Sequence, residues 1–272
     1  MAADGLGQYG RRSYKLHQSH IENLHYYLVM CSHYIAEKSA QQLAQMGVAL
    51  PANWQPSSGG LHIFPTQWAP IIRRPPELDS GDEAVPDLEV VTARFGLLPG
   101  FAKDEKYGLR TYNARSETAA QLASFKTAWG KAQHCIVPAS SIYEPDWRSG
   151  KHVPTKISRV DGELLGVAGL WQLWRSATGE WINSFTMLTI NADHHAIFKE
   201  LHRPDPKRPA DKQDKRMLVI LQEQQYGAWL DAPAQQSADF LRPYPADRLI
   251  AVGETAARPV ADPLNVHSSN VE

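Results

Sequence analysis

Apolar positions in this chain fall in short runs divided by turn residues, and two periodicities alternate irregularly. AEKSAQQLAQM (36–46) has the composition of a short helix, with Pro51 soon after it. Residues 51–60, rich in Pro, Asn, Ser and Gly, read as a loop, and Leu61–Phe64 as a strand. Residues 73–87 are Pro-rich and acidic and suit a surface loop. LEVVTARFGL (88–97) has the β-branched content of a strand, and 99–111 reads as a long loop. Ser116 is placed to cap a helix through SETAAQLASFKTAW. HCIVPASSIY (134–143) is strand-like, with Pro138 marking a bulge, a bend or an edge. Further strands are expected at 153–159, 165–174, 184–190 and 216–221. A short helix capped by Asp193 is expected to reach Leu201, and another helix to span 223–230. Strands outnumber helices without regular alternation. The pattern predicts an α+β fold with a mostly antiparallel, barrel-like β core and flanking helices. Residues 1–29 show no clean period and stop at a second methionine, Met30. They read as an extension from a mis-assigned start or a segment that is removed, with 30–272 as a single domain.

Composition changes this picture little. The 272 residues are 43% hydrophobic and 21% charged, ordinary for a globular domain. No apolar run approaches the roughly 20 residues that span a bilayer, and the start lacks a secretory core, so a cytoplasmic protein is expected. Two cysteines, Cys31 and Cys135, make no disulfide framework. His194, His195 and His202 fit no zinc spacing, so neither metal nor cofactor is expected. The net charge of −1 announces no nucleic-acid partner, but it is unevenly spread. Residues 77–90 carry six acids and no base, whereas 91–135 carry seven bases against three acids and 199–217 seven against four. Basic segments of this kind suit a phosphate-binding groove or, more plainly, a solvated surface.

Four segments carry candidate chemistry: Met30-Cys31-Ser32-His33-Tyr34; FGLLPGFAKDEKYGLRTYNARSET (95–118); HCIVPASSIYEPDW (134–147); and FTMLTINADHHAIFKELHRP (185–204), followed after a charged insert by KRMLVIL (215–221). In this order and spacing, with FPTQWAP at 64–70, they resemble the SOS response-associated peptidase family. The resemblance implies an abasic-site processing activity in the DNA-damage response. In that chemistry an N-terminal cysteine amine attacks the open-chain aldehyde of an abasic deoxyribose to give an imine. The thiol then closes a five-membered thiazolidine. An α-amine, with a pKa near 7.7–8.0, is roughly a tenth or more unprotonated at neutral pH, far more than a lysine. Carrying amine and thiol on one residue adds a proximity advantage.

By the same resemblance, Cys31 is the nucleophile, Glu144 orients the amine and shuttles its proton, and His202 is the general acid or base at the sugar. Asn113 holds the sugar or the terminus by hydrogen bonds. Arg115 grips a phosphate, His33 meets another, and Phe95 with Pro99 offers a base an apolar face. Single-stranded DNA bearing abasic sites is the implied partner, with lyase and self-cleaving peptidase activity as further implications. Taken singly, each residue has an ordinary reading: a buried thiol, a surface acid, a turn asparagine or an ion-pair arginine. The chain also departs from the family pattern. Ser32 and His33 stand where the family has Gly-Arg, Phe95 and Pro145 replace tryptophans, and DPKRPADKQD (205–214) lengthens the path from His202 to Arg216. The largest departure lies before Met30. With residues 1–29 attached, the Cys31 nitrogen is an amide and forms no imine. A thiol peptidase or other hydrolase using Cys31 with His202 needs no free amine and is one alternative reading. A non-catalytic single-strand binding module is the other.

Overall fold

The computed structural model describes residues 31–254 apart from 38, 49 and 51–60. The expected extension (1–29), the loop at 51–60 and part of the helix at 36–46 therefore lie outside the described residues. In chain order the elements are β1 (His33–Ala36), α1 (Ala40–Gln45), β2 (His62–Ile63), β3 (Trp68–Arg73), β4 (Glu89–Phe95), β5 (Asn113–Arg115), α2 (Ser116–Ala119), α3 (Lys126–Gly130), β6 (His134–Asp146), β7 (Val153–Arg159), β8 (Leu165–Arg175), β9 (Trp181–Asn191), β10 (Arg216–Leu218), β11 (Ile220–Leu221), α4 (Tyr226–Asp231) and β12 (Leu249–Gly253).

Five strands close a barrel in the order β3-β4-β9-β8-β6, with β6 returning to β3 through Ile72 opposite Ile136. All five contacts are antiparallel except β4 against β9, so the barrel is mixed. The α+β, largely antiparallel, barrel-like expectation is met. Closure requires close backbone approach at Gly169, where a Cβ would come within 2.6 Å of the Thr186 carbonyl and 2.9 Å of Cys135 Sγ. Inside, Phe95 stacks on Phe185 with centroids 5.1 Å apart and meets Tyr34 and Tyr112 edge-on.

β6 is the organising strand. Residues 134–139 pair with β8 inside the barrel, and residues 142–146 pair with β7 outside it. The changeover falls just after Pro138, which lacks the N–H that a central strand needs. There β1, on the other edge of β6, also slips register, from Ile35 opposite Ser141 to Ala36 opposite Ala139. The far half of β6 is thus carried out of the barrel, flanked by β1 and β7.

The helix expected from Ser116 to Trp129 is two short helices. Its buried positions Ala119, Phe125 and Ala128 explain the break. A gap of six residues is off the three-to-four spacing of one apolar face. Asp193 caps no helix; its carboxylate accepts from the backbone N–H groups of Asp214 and Lys215, and only a 3-10 turn forms, at Phe198–Glu200. No helix among the described residues is long and apolar enough to cross a membrane.

Candidate active site

Cys31 is separated from β1 only by Ser32, and β1 runs antiparallel to the outer half of β6, placing His33 opposite Tyr143. Cys31 and Glu144 consequently line one cavity of about 160 Å³, together with Ser32, Phe64, Pro145 and Pro154. The Glu144 side chain is wholly buried, and its Oε2 lies 2.7 Å from His202 Nε2. Burial raises the Glu144 pKa, and His202 opposes the rise. The hydrogen bond to His202 is what keeps a carboxyl group tolerable there.

His202 is held by its backbone rather than by a helix. Its φ is +65°, a conformation that a residue with a side chain adopts only under constraint. Two contacts supply the constraint. Its N–H donates to the Pro145 carbonyl at 2.7 Å, and its carbonyl accepts from Lys215 Nζ at 2.8 Å. Lys215 also donates to the Leu201 carbonyl at 2.6 Å. Desolvation lowers the pKa of this lysine, with Asp193 and Glu200 opposing. No spacing singles out Lys215; its partners are backbone carbonyls that the chain path alone creates.

Asn113 arrives on β5, which lies parallel to β9, and its Nδ2 donates to the Cys31 carbonyl at 3.3 Å. Asn113 Oδ1, Glu144 Oε1 and His202 Nδ1 are buried without hydrogen-bond partners among the described residues. Buried polar atoms are normally paired. Three unpaired ones, on Asn113, Glu144 and His202, fall in this one cluster around Cys31, which therefore holds open hydrogen-bonding capacity.

The four residues expected to do chemistry are therefore brought together. The residues expected to touch DNA are not. Phe95 is wholly buried at the centre of the aromatic cluster, and Pro99 is buried too, so neither offers a face to a base. Phe95 is a core residue, because the side chain of a strand-end residue pointing into a closed barrel never reaches solvent. His33 is stacked between Phe64 and Tyr143, with centroids 4.3 and 4.1 Å away. Burial, with the neighbouring His62 adding to it, lowers its pKa to about 4. At neutral pH it brings no positive charge to a phosphate. Arg115 is half-exposed, but its Nη1 is 2.7 Å from Asp214. Among the described residues no group of three or more His, Cys, Asp or Glu is placed to hold a metal ion.

Residues 30–263 match the family described as SOS response associated peptidase (SRAP). The chain belongs to this family. Among its relatives is the abasic site processing protein YobE of Bacillus subtilis (strain 168), 33% identical over 165 residues that cover 58% of this chain and 67% of YobE. Another is the abasic site processing protein HMCES of Gallus gallus, 26% identical over 193 residues covering 61% and 52%. The chain thus spans about two thirds of the first and half of the second. A crystal structure of a Bordetella bronchiseptica protein superposes with a TM-score of 0.70 at 47% identity, covering 83% of this chain and all of that one. A second, from Bacteroides thetaiotaomicron, shares the fold at 20% identity with a TM-score of 0.65. In this SRAP chain the segment 205–214 is clamped by Gln213. Its amide nitrogen donates to the carbonyls of Arg208 and Pro209, and its oxygen accepts from the Asp205 N–H.

Proposed function

We propose that this chain processes abasic sites in single-stranded DNA, with Cys31 as the residue that becomes covalently attached. The observation that carries the reading is the cavity shared by Cys31 and Glu144, with Glu144 hydrogen-bonded to His202. The Cys31 amine adds to the sugar aldehyde and loses one water to form an imine. The thiol then adds to the imine carbon, and its proton moves to the nitrogen. Glu144 takes the amine proton during attack, and His202 exchanges protons with the ring oxygen that opens. Asn113 fixes the Cys31 carbonyl and so the direction of its amine. Arg115 takes the strand phosphate by exchanging it for Asp214. The cavity has room for a sugar but not for stacked bases, which favours a single strand whose neighbours splay apart.

The thiol-hydrolase alternative needs a thiol–imidazole contact. The His202 ring instead has Glu144 as its partner, and Cys31 is not hydrogen-bonded to it.

The decisive experiment compares protein beginning at Cys31 with protein carrying residues 1–30 fixed in place. Each is mixed with an abasic oligonucleotide and read by intact mass. The free terminus is expected to gain the oligonucleotide mass less one water. The extended chain and Cys31→Ala are expected to form no stable adduct. Full adduct yield from the extended chain would overturn the thiazolidine reading and leave the thiol alone as nucleophile.

A further inference from the structure

The Glu144–His202 pair faces two hollows. Glu144 lines the Cys31 cavity, whereas His202 lines a second, larger hollow of about 420 Å³ whose rim includes Trp147, Arg148, Lys199, Pro204, Gln213 and Lys215. The chemistry described above uses only the first. We propose that the second is a subsite for a nucleotide flanking the damaged sugar, its base stacking on the Trp147 indole and its phosphate facing the rim cations. This rests on the abasic-site reading.

Trp147 is the first residue after β6 and opens the tight turn that returns the chain to β7, closed by the Gly150 N–H donating to the Trp147 carbonyl at 2.9 Å. The indole is only partly buried, and its place is fixed by a short turn on two paired strands. The exposed Arg203 guanidinium lies 5.3 Å from its ring centroid, and His152 meets it edge-on at 5.9 Å. Arg203 follows His202 in sequence, so the residue beside the proposed acid–base group covers the aromatic face. A planar guanidinium on an indole is weakly hydrated and gives way to, or sandwiches, a flat heteroaromatic ring.

The rim charge suits a phosphate. Asp193 is answered by the Lys215, Asp214 and Asn191 N–H groups, and Glu200 lies 3.9 Å from Lys199. Arg148, ion-paired to Asp146 at 2.7 Å, and Lys199 and Lys215 line the hollow against Asp193 and Glu200, and Arg203 adds its charge over the Trp147 ring; the clamped insert that supplies Gln213 and Ala210 carries three bases and three acids and so adds no net charge. An aromatic face beside cations, continuous through one hydrogen-bonded pair with the sugar pocket, fits a nucleotide better than an acidic peptide, which has no ring to stack.

The test is a protein–DNA coupling cycle on the full chain. The probe is a single-stranded oligonucleotide with a tetrahydrofuran residue, an abasic sugar without an aldehyde. Two further probes lack, in addition, the base on one side or the other. Wild type is expected to bind about tenfold more weakly when one particular neighbouring base is missing, within the range of base–aromatic stacking. Trp147→Ala should lose about the same factor on the intact probe and no longer distinguish it from the probe lacking that base. Trp147→Phe should keep most of the discrimination. Equal losses for wild type and Trp147→Ala on both base-deleted probes would show no coupling and overturn the subsite. So would unchanged DNA binding by Trp147→Ala. The probe has no aldehyde, so the covalent step is not involved. Coupling without adduct formation on true abasic DNA would refute the chemistry alone, and adduct formation without coupling would refute the subsite alone.

Discussion

The two halves of β6 carry the same kinds of residue to different ends. The barrel half holds His134 and Cys135, and the outer half holds Tyr143 and Glu144. All four are buried. Burial pushes the Cys135 thiol far above its ordinary range and lowers His134 to about 4, just as it raises Glu144. Perturbation therefore does not distinguish them; surroundings do. Cys135 faces the backbone of β8 at Gly169, and its carbonyl takes the Trp229 indole N–H at 2.9 Å. His134 is stacked on Trp229 at 3.9 Å and bonded to Ser237 at 2.8 Å. Glu144 instead opens on a cavity; one of its oxygens is unpaired, but so is His134 Nδ1, and the cavity is what separates the two. A shifted pKa marks function only where the group also has somewhere to send a proton.

The sharpest way to break this contrast is Glu144→Gln. Loss of the proton acceptor should slow adduct formation on the order of 100-fold, at the low end for a general acid–base group. Stability should hold or rise, since the neutral amide relieves the cost of burying a carboxylate. In wild type, a plot of adduct rate against pH should fall on the acid side around a value above the ordinary carboxylate 4.5, because burial raises Glu144. An unchanged rate in the variant would move Glu144 to the structural side of the comparison.

Cys135→Ala should do the reverse. Adduct rate should be unchanged. Chemical unfolding should show a loss of about 1–2 kcal/mol, because the barrel cannot close over the missing sulfur where Gly169 already sets the spacing. A slowed reaction would mean that the barrel half of β6 is coupled to the site.

The sequence reveals these regions unequally. β7 falls where its alternation places it, at 153–159, and β8 differs by one residue at its end. Long strands with apolar faces announce themselves. β1, β3, β5 and β12 do not: three have five residues or fewer, and β3 carries Pro70 and lies beside a Pro-rich stretch. Their strand character comes from the partners they dock on. Cys31, Asn113, Glu144 and His202 were identifiable because their order and spacing resemble a family pattern, not because any one carries a local signal. Phe95 shows the limit of that route. The family position suggested an aromatic at the surface, but the side of the strand it occupies was decided by barrel closure. Lys215 and Trp147 were missed for a related reason. One acts on carbonyls, and the other depends on a turn that swings an indole towards His202, some 55 residues on; neither relation is written in spacing.

The smallest expected effect tests the barrel half by pH. His134 is held neutral in the fold, with its pKa lowered from 6.5 to about 4 by burial. Below pH 6.5 the unfolded chain takes up a proton that the folded chain refuses, so protonation favours unfolding. The stability present above 6.5 is lost progressively as pH falls and is fully lost once pH passes about 4. His33, lowered to about 4 in the same way, adds to this slope. His134→Gln keeps a hydrogen-bonding group towards Ser237 and does not titrate. Its unfolding midpoint should therefore fall less steeply than that of wild type between pH 6.5 and 4, while the part due to His33 remains. Parallel curves for the two proteins would show that His134 is protonated in the folded state. The barrel half of β6 would then accept a charge that its surroundings, a Trp229 face and a single hydroxyl, offer little to stabilise.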